Sequence, residues 1–272
     1  MASCVVACTN SEQDDHVNAL LIGGASGVDC DSVASSRAIL TAWFDDDLAA
    51  AAMARALRVD GMHATVGPMS PRAAGAWERH TAPVVFAPGC CVCFPWSKFD
   101  RDRYDEVIEI DPGSGFGAGR HPSTQLVLRT FDTAHEKAFI GQRVLDVGCG
   151  SGVLSVALAN RGAQVAAIDV APAAIQATKA NARLNAVAGN IVVSDAALLD
   201  FDPASFDHIV ANIQAPVLAS MAGDFDRLLR PDGHLTVSGF SPGQVSALTA
   251  SLGRSTVIQR SELDGWVAQI LR

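Results

Sequence analysis

Charged side chains are scarce in this sequence of 272 residues, and lysine is scarcer than arginine. Charged residues make up 18% of the chain, and only three of the 20 basic residues are lysine. The 29 acidic residues give a formal net charge of -9. Such a chain is poorly suited to bind nucleic acid through a broadly basic surface. We therefore expect no direct nucleic-acid partner, and a basic protein segment becomes more plausible.

The sequence also lacks an apolar run long enough to cross a membrane. The stretch from His208 to Gly223 is free of charge but contains Asn212, Gln214 and Pro216. It is also shorter than the roughly 20 residues that a span needs. The first residues show neither a cationic leader nor a long apolar segment, so we expect no export signal and a cytoplasmic protein. The apolar fraction of 49% indicates a substantial core instead.

The seven cysteines follow no disulfide or zinc pattern. Cys90, Cys91 and Cys93 form a cluster, but neighbouring residues of a strand point to opposite faces. No second pair of cysteines or histidines has the spacing of a zinc site. The cluster therefore favours buried thiols over a metal centre.

The first part of the chain predicts a small α+β domain, over residues 1–67. Its pattern is strand, helix, strand, strand, helix, strand, which is the order of a ferredoxin-like domain. A connecting helix is expected over residues 68–82. The predicted strands are Ser3–Cys8, Val28–Val33, Arg37–Phe44 and His63–Val66, and the predicted helices cover 11–22 and 48–57.

The remainder, residues 83–272, predicts an α/β domain. Apolar strand patterns alternate with helical patterns, which indicates a mostly parallel sheet covered on both faces. The predicted strands after two short ones at 84–86 and 90–94 are 143–147, 164–169, 190–194, 208–212, 234–238 and 265–271. The predicted helices are 153–161, 171–185, 216–230 and 241–252.

A glycine-rich turn lies between the first of these parallel strands and its helix. Gly148, Gly150 and Gly152 alternate along the turn, and glycine lets a ligand approach the backbone. A dinucleotide fingerprint would place its third glycine at Val153 instead. Asp146 suits a cationic ligand better than a pyrophosphate. The turn therefore favours S-adenosylmethionine, which carries an ammonium and a sulfonium; a turn that binds nothing is the alternative.

Three polar residues end the following strands. Asp169 can accept hydrogen bonds from both ribose hydroxyls, although a helix cap before Pro172 is a competing role. Asp195 ends the next strand and could bind an adenine amino group, or it could be an ordinary loop residue. Asn212 could accept a hydrogen bond from an amine nucleophile, or it could cap the helix near Pro216.

One further segment identifies a family. The run DPGSGFGAGRHPST, from Asp111 to Thr124, resembles the glycine-rich loop of the PrmA methyltransferases, which modify a protein of the large ribosomal subunit. The glycine turn and the segment from Ala211 to Ile213 are similar to that family as well. The resemblance is strong from about Ile108 to Ser238 and weak before Pro83. It implies a Rossmann-like class I methyltransferase domain behind a ferredoxin-like substrate-recognition domain.

The resemblance also implies roles for individual residues. Thr124 matches the threonine that ends the loop, and Gly148 the first glycine of the turn. Asp169 matches the ribose acid, and Asn212 the asparagine near the methyl-transfer site. The two loop residues that would cover the cofactor are Phe116 and His121, and His121 is also a candidate base, although it could equally hold the backbone of the loop.

Together these features predict in-line methyl transfer from S-adenosylmethionine to an amine, most naturally a lysine or N-terminal amine of a ribosomal protein. The loop departs from the family at Ala118 and Arg120, and the segment from Asn212 to Pro216 has no glycine before its proline. These departures lie near the substrate entrance, so a small-molecule or peptide amine is an alternative acceptor. A non-catalytic protein that senses a ligand is the alternative from another class.

Overall fold

The computed structural model divides the chain into two compact units, Met1–His80 and Thr81–Arg272. It describes most of the second unit and the strands of the first. The described residues are 2–9, 16, 20, 27–34, 37–44, 47–59, 62–68, 82–111, 119, 121–133, 139–253 and 256–272. Among these residues, no helix has the length and apolar character needed to cross a bilayer.

The first unit is a four-stranded antiparallel sheet with helices. Its strands are β1 (Ala2–Thr9), β2 (Gly27–Ala34), β3 (Arg37–Phe44) and β4 (Ala64–Pro68), and α1 spans Asp47–Val59. The sheet order is β2-β3-β1-β4, and every neighbouring pair is antiparallel. His16 and Leu20, between β1 and β2, are helical. This arrangement confirms the predicted ferredoxin-like order.

Two periodicities build the core of this unit. Alternate residues of β1 and β3 are buried, because successive side chains of a strand point to opposite faces. The buried residues of α1 recur every three or four positions and cover the same face of the sheet. The shared cluster includes Cys4, Val6, Leu40, Ala42, Ala50, Ala54 and Leu57.

The second unit begins with a small three-stranded sheet. Its strands are β5 (Val84–Ala87), β6 (Cys90–Cys93) and β7 (Glu106–Glu109), in the order β5-β6-β7. All four residues of β6 are buried, which agrees with the prediction of buried thiols. Helix α2 (Pro122–Thr133) follows and packs against both β5 and the large sheet.

The large sheet has seven strands and positions the candidate site. They are β8 (Arg143–Val147), β9 (Gln164–Ile168), β10 (Ile191–Ser194), β11 (Phe206–Asn212), β12 (Leu229–Phe240), β13 (Val257–Leu263) and β14 (Trp266–Leu271). The order is β10-β9-β8-β11-β12-β14-β13. The first five strands in this order are parallel, and the β13–β14 hairpin adds two antiparallel strands.

Helices cover both faces of this sheet. They are α3 (Val153–Asn160), α4 (Pro172–Leu184), α5 (Ala215–Ser220), α6 (Ala222–Leu228) and α7 (Val245–Ser251). Two apolar clusters result, one on each face. The strand order reverses at β8, which pairs with β9 on one side and β11 on the other. Parallel sheets of this kind bind ligands outside the carboxyl ends of the strands at such a reversal.

The predicted α/β architecture is confirmed, and some of its details are wrong. The helix predicted over 216–230 is two helices, because α5 ends at Ser220, α6 begins at Ala222 and Leu229 already belongs to β12. The sequence patterns also missed α2, β7 and β13. Pro68 ends β4 rather than opening the connecting helix. Most of that predicted helix and of the helix over 11–22 lies outside the described residues.

Candidate functional site

The glycine turn after β8 has the backbone shape that its composition predicts. Gly148, Gly150 and Gly152 have positive φ angles of 74°, 55° and 82°. A Cβ atom on Gly148 would lie 2.6 Å from Ile213 Cγ2, and one on Gly152 would lie 2.7 Å from Thr178 Cγ2. The turn therefore needs glycine both for its conformation and for its close approach to neighbouring elements. It opens helix α3 at the edge where β8 ends.

Asp169 connects this turn with the next helix. One carboxylate oxygen, Oδ2, accepts the backbone N–H of Gly150 at 3.0 Å. The other, Oδ1, accepts the N–H of Ala171 at 2.9 Å, just before α4 begins. Asp169 thus binds the backbone of Ala171, the residue that caps α4, and is not itself the capping residue. Because a carboxylate oxygen can accept more than one hydrogen bond, Asp169 retains capacity for ligand hydroxyls.

Asp146 is a buried carboxylate with one oxygen left without a partner. The residue is 1% exposed, and its Oδ2 accepts a hydrogen bond from Ser155 Oγ at 2.5 Å. Its Oδ1 is buried and has no hydrogen-bond donor among the described residues. Burial, and secondarily the negative charge of Asp169, raises the pKa of Asp146 to about 6. A buried anion in this state is stabilised by a nearby cation.

Asn212 and Thr124 meet although 88 residues separate them in the chain. Asn212 ends β11, and its Nδ2 donates a hydrogen bond to Thr124 Oγ1 at 3.1 Å. Thr124 lies in the first turn of α2 and is 2% exposed. No described residue donates a hydrogen bond to the amide oxygen of Asn212. This oxygen is thus available to an incoming ligand at the carboxyl end of β11.

His121 lies immediately before α2. Its Nδ1 accepts the backbone N–H of Ser123 at 3.3 Å and lies 2.7 Å from Ser123 Oγ. The ring meets Trp266 edge to face, with 4.6 Å between the ring centroids. Burial lowers the pKa of His121 to about 4, so the imidazole is neutral near pH 7. This geometry favours holding the start of the helix over general-base catalysis.

Asp195 is exposed beyond the end of β10 and faces a cleft. The cleft has a volume of about 320 Å³, and its lining includes Asp195, Ser194, Lys179 and Val170. Val170 follows Asp169 directly and is 97% exposed, which is unusual for a large apolar side chain. The predicted cofactor residue Phe116 lies outside the described residues, as do Ala118 and Arg120.

Several residues that support this site were not predicted. Thr178 donates a hydrogen bond from Oγ1 to the carbonyl of Gly150 at 3.0 Å, and Asn181 donates one from Nδ2 to the carbonyl of Ser151 at 2.8 Å. Both lie on the buried face of α4. Polar residues three apart on a helix face that otherwise meets the sheet are the signal that could have identified them. The described residues bring no three potential metal ligands together.

Comparison with known proteins relates the whole chain to one family model. The model described as "Ribosomal protein L11 methyltransferase (PrmA)" matches residues 2–272. The ribosomal protein L11 methyltransferase of Anoxybacillus flavithermus is 36% identical over 203 residues, which are 73% of this chain and 64% of that protein. The protein of the same name from Geobacillus kaustophilus is 39% identical over 168 residues, 61% of this chain and 53% of that protein.

A solved structure resembles the fold. The crystal structure of ribosomal protein L11 methylase from Lactobacillus delbrueckii subsp. bulgaricus has a TM-score of 0.63 and 28% sequence identity. The match covers 70% of this chain and 97% of that one. In the sequence comparisons, this chain spans 53% and 64% of the two curated relatives just described.

Proposed function

Because the chain belongs to the ribosomal protein L11 methyltransferase (PrmA) family, we propose that it transfers a methyl group from S-adenosylmethionine to an amine of a protein. One observation carries the proposal. At the edge where the sheet reverses, the glycine turn, Asp169 and the buried Asp146 stand beside Asn212, whose amide oxygen is available to a ligand. This set combines a cationic-ligand site with a group that can orient an amine.

The residues at this edge fit S-adenosylmethionine. The unpartnered Oδ1 of Asp146 suits the ammonium of the cofactor, and the turn admits no side chain at Gly148 or Gly152. Asp169 retains hydrogen-bonding capacity for the ribose hydroxyls. Asp195 and the exposed Val170 offer a polar and an apolar contact for the adenine. When bound, the cofactor supplies a methyl group that its sulfonium already activates.

Asn212 is the proposed orienting residue. Thr124 holds its Nδ2, which leaves the amide oxygen to accept a hydrogen bond from the N–H of the acceptor and to direct the nitrogen lone pair. Positioning of this kind can supply much of a catalytic rate enhancement. The contact with Thr124 would keep the amide in one orientation through the reaction.

The acceptor amine must be neutral before it attacks. A lysine amine has a pKa of about 10.4 in water, and entry into a poorly solvated site lowers that pKa. His121 is a weak base because its pKa is about 4, and its Nδ1 already accepts the Ser123 N–H. We propose that the proton leaves to solvent and that His121 holds the start of α2 rather than taking the proton.

A basic ribosomal protein is the proposed acceptor. The relatives carry the name of a methyltransferase of a ribosomal protein. The first unit of this chain, Met1–His80, contains ten acidic and five basic residues and no lysine. An acidic surface would favour a lysine-rich partner through long-range attraction. We propose that residues 1–67 recognise the acceptor, that 68–82 connect, and that 83–272 carry out the transfer in the cytoplasm.

Calorimetric titration with S-adenosylmethionine tests the cofactor site. The wild-type protein should bind it, and Asp169→Ala should weaken binding about tenfold or more. Asp202→Ala is the matched control, because Asp202 is exposed in the loop before β11, at the opposite edge of the sheet. Absence of binding by the wild-type protein would overturn the proposed function, and unchanged binding by Asp169→Ala would overturn the role of Asp169.

Intact-mass analysis tests the acceptor. The protein and cofactor are incubated either with the large-subunit ribosomal protein or with a small-molecule extract from the same source. Mass increases of one methyl group each on the ribosomal protein support the proposed acceptor. Methylation confined to the small-molecule fraction would identify the alternative acceptor, and no methylation together with cofactor binding would favour a ligand sensor.

A further inference from the structure

Asn181 connects the two segments that border the candidate site. It is 1% exposed on α4. Its Oδ1 accepts the backbone N–H of Asp111 at 2.9 Å, and its Nδ2 donates to the carbonyl of Asp111, also at 2.9 Å. The same Nδ2 donates to the carbonyl of Ser151 in the glycine turn at 2.8 Å. The amide of Asn181 thus binds both Asp111 and the turn after β8.

Asn185 repeats the pattern one helical turn later. Its Oδ1 accepts the backbone N–H of Glu109 at 2.9 Å, and its Nδ2 donates to the carbonyl of Glu109 at 2.7 Å. Unlike Asn181, it makes no described hydrogen bond to the glycine turn. We call Asn181 and Asn185 together the asparagine clamp.

Both asparagines can bind the strand because the spacing of residues four apart along the helix matches the spacing of residues two apart along the strand. Residues four apart in a helix rise by about 6 Å along its axis, and residues two apart in a strand are separated by about 6.6 Å. The two amides therefore reach the outward-facing backbone groups of Glu109 and Asp111 in turn. On the other side, Ile110 donates its N–H to Cys93 of β6. The side chains of Asn181 and Asn185 thus form hydrogen bonds with the backbone of β7 and its continuation, where another strand would otherwise pair.

Asp111 and Thr124, which flank a segment that lies mostly outside the described residues, both contact the candidate site. Asn181 holds Asp111 against the glycine turn, and Thr124 contacts Asn212 at the end of β11. A displacement of α4 along its axis would break the bonds to Asp111 and Ser151 together. Directional hydrogen bonds fix such a register more strictly than apolar packing does.

We propose that Asn181 is a positioning residue for methyl transfer, because it sets the position of Asp111 relative to the glycine turn. The inference rests on the proposed function for its catalytic consequence. Asn185 anchors the same strand but not the turn, so its contribution is to stability alone. The pair therefore offers a comparison between a positioning residue in α4 and a structural residue directly after that helix.

Hydrogen exchange in the ligand-free protein tests the clamp independently of activity. Asn181→Leu removes all three bonds with a side chain of similar size, and Asn185→Leu is the matched control. Asn181→Leu should speed exchange both in peptides that begin the loop at Asp111 and in peptides of the turn around Ser151. Asn185→Leu should affect only the strand near Glu109 and the end of α4, where Asn185 Nδ2 also donates to the carbonyl of Asn181 at 2.8 Å. Unchanged exchange around Ser151 in Asn181→Leu would contradict the proposed role of Asn181 in holding the turn. This outcome does not depend on whether the protein is a methyltransferase.

Kinetics test the positioning role. Asn181→Leu should lower kcat/KM for S-adenosylmethionine about tenfold or more, and Asn185→Leu should stay within about threefold of the wild type at a comparable loss of stability. Asn181→Asp, which keeps the acceptor and loses both donors, should show the same kinetic loss if the leucine variant does not fold. Equal kinetic losses in the Asn181 and Asn185 variants would overturn the role. Inactive wild-type protein that retains the exchange pattern would instead overturn the proposed function.

Discussion

At the scale of single residues, Asp146 combines two properties that oppose stability. It is buried, and one of its oxygens has no donor among the described residues, so its ionised form is poorly stabilised in the free protein. The raised pKa of about 6 has the same cause. Unfavourable buried charge of this kind often marks a functional site. A bound cation would remove the imbalance.

The affinity for S-adenosylmethionine should therefore depend on pH through Asp146. Because the pKa is about 6, acidification below that value protonates the carboxylate and removes the charge that attracts the ammonium. The affinity should fall by up to about tenfold for each pH unit below 6. Calorimetry from pH 5 to pH 7.5 measures this dependence. Asp146→Asn should bind weakly at every pH, and a pH dependence in that variant equal to the wild type would assign the titration to another group.

Thr124 should act through Asn212. Thr124→Val keeps the shape of the side chain and removes the hydroxyl that holds the amide of Asn212. We expect kcat to fall about fivefold to tenfold, the usual range for one lost hydrogen bond, with little change in KM for the cofactor. Thr124→Ser retains the hydroxyl and should keep most of the activity. Steady-state kinetics of both variants decide the question, and equal losses in both would contradict the role of the hydroxyl.

At the scale of secondary-structure elements, α4 supports the site with one face. Thr178 and Asn181 lie on that face and bind backbone groups of the glycine turn, and Asn185, directly after the helix, binds the backbone of Glu109 in β7. The close contact between Gly152 and Thr178 belongs to the same face. The helix therefore determines how near the turn lies to Asp111, and the turn tolerates no larger residue at Gly152.

Gly152→Ala should destabilise the protein. Gly152 has a φ of 82°, and an added Cβ would lie 2.7 Å from Thr178 Cγ2 and 3.0 Å from Thr178 Cα. An alanine held in the left-handed backbone conformation lowers the stability of the fold by roughly 1–2 kcal/mol, and the close contact with Thr178 adds to that loss. Urea unfolding measures the change. Gly223→Ala is the control, since its Cβ would meet no atom within 4 Å and Gly223 lies in helix α6. Equal stability of the two variants would contradict this argument.

The sequence predicts elements well where burial imposes a period, and poorly elsewhere. The bounds of β3 and β8 agree with their predictions because their apolar residues are regular. Strand β13 escaped prediction because its residues are mostly exposed, so that pairing with β14 rather than burial makes it a strand. Helix α2 has a partly exposed polar stripe at Gln125 and Arg129, but its buried polar residues Ser123, Thr124 and Thr130 interrupt the apolar period.

The residues of the candidate site also differ in how far the sequence predicts them. The glycine turn and Asp169 follow from local sequence, since a strand, a turn and a helix are consecutive. The contact between Thr124 and Asn212 joins residues 88 apart, and the asparagine clamp joins positions about 70 apart. Local patterns carry no information about such distances. The polar face of α4 is visible in the sequence, but its partners depend on how the strands are ordered.

At the scale of the whole molecule, three buried groups make stability depend on pH. Burial lowers the pKa of His208 to about 3, aided by the nearby His234, and lowers that of His121 to about 4. Both histidines take up protons more readily in the unfolded chain, where the pKa is about 6.5. Acidification below pH 6.5 therefore favours unfolding through each of them. Asp146 has the opposite sign, because its raised pKa of about 6 makes the folded state bind a proton first.

When the three groups are combined, the unfolded chain binds about one proton more than the folded protein between pH 6 and pH 4.5. The free energy of unfolding should therefore fall by about 1.4 kcal/mol for each pH unit over that range. His208→Gln removes one histidine and can still reach Thr236, whose Oγ1 lies 2.7 Å from His208 Nε2. His121 and Asp146 then nearly cancel, so the variant should show an almost flat dependence. Urea unfolding at several pH values compares the two slopes; equal slopes would show that His208 is not the group responsible, since its removal is the only change.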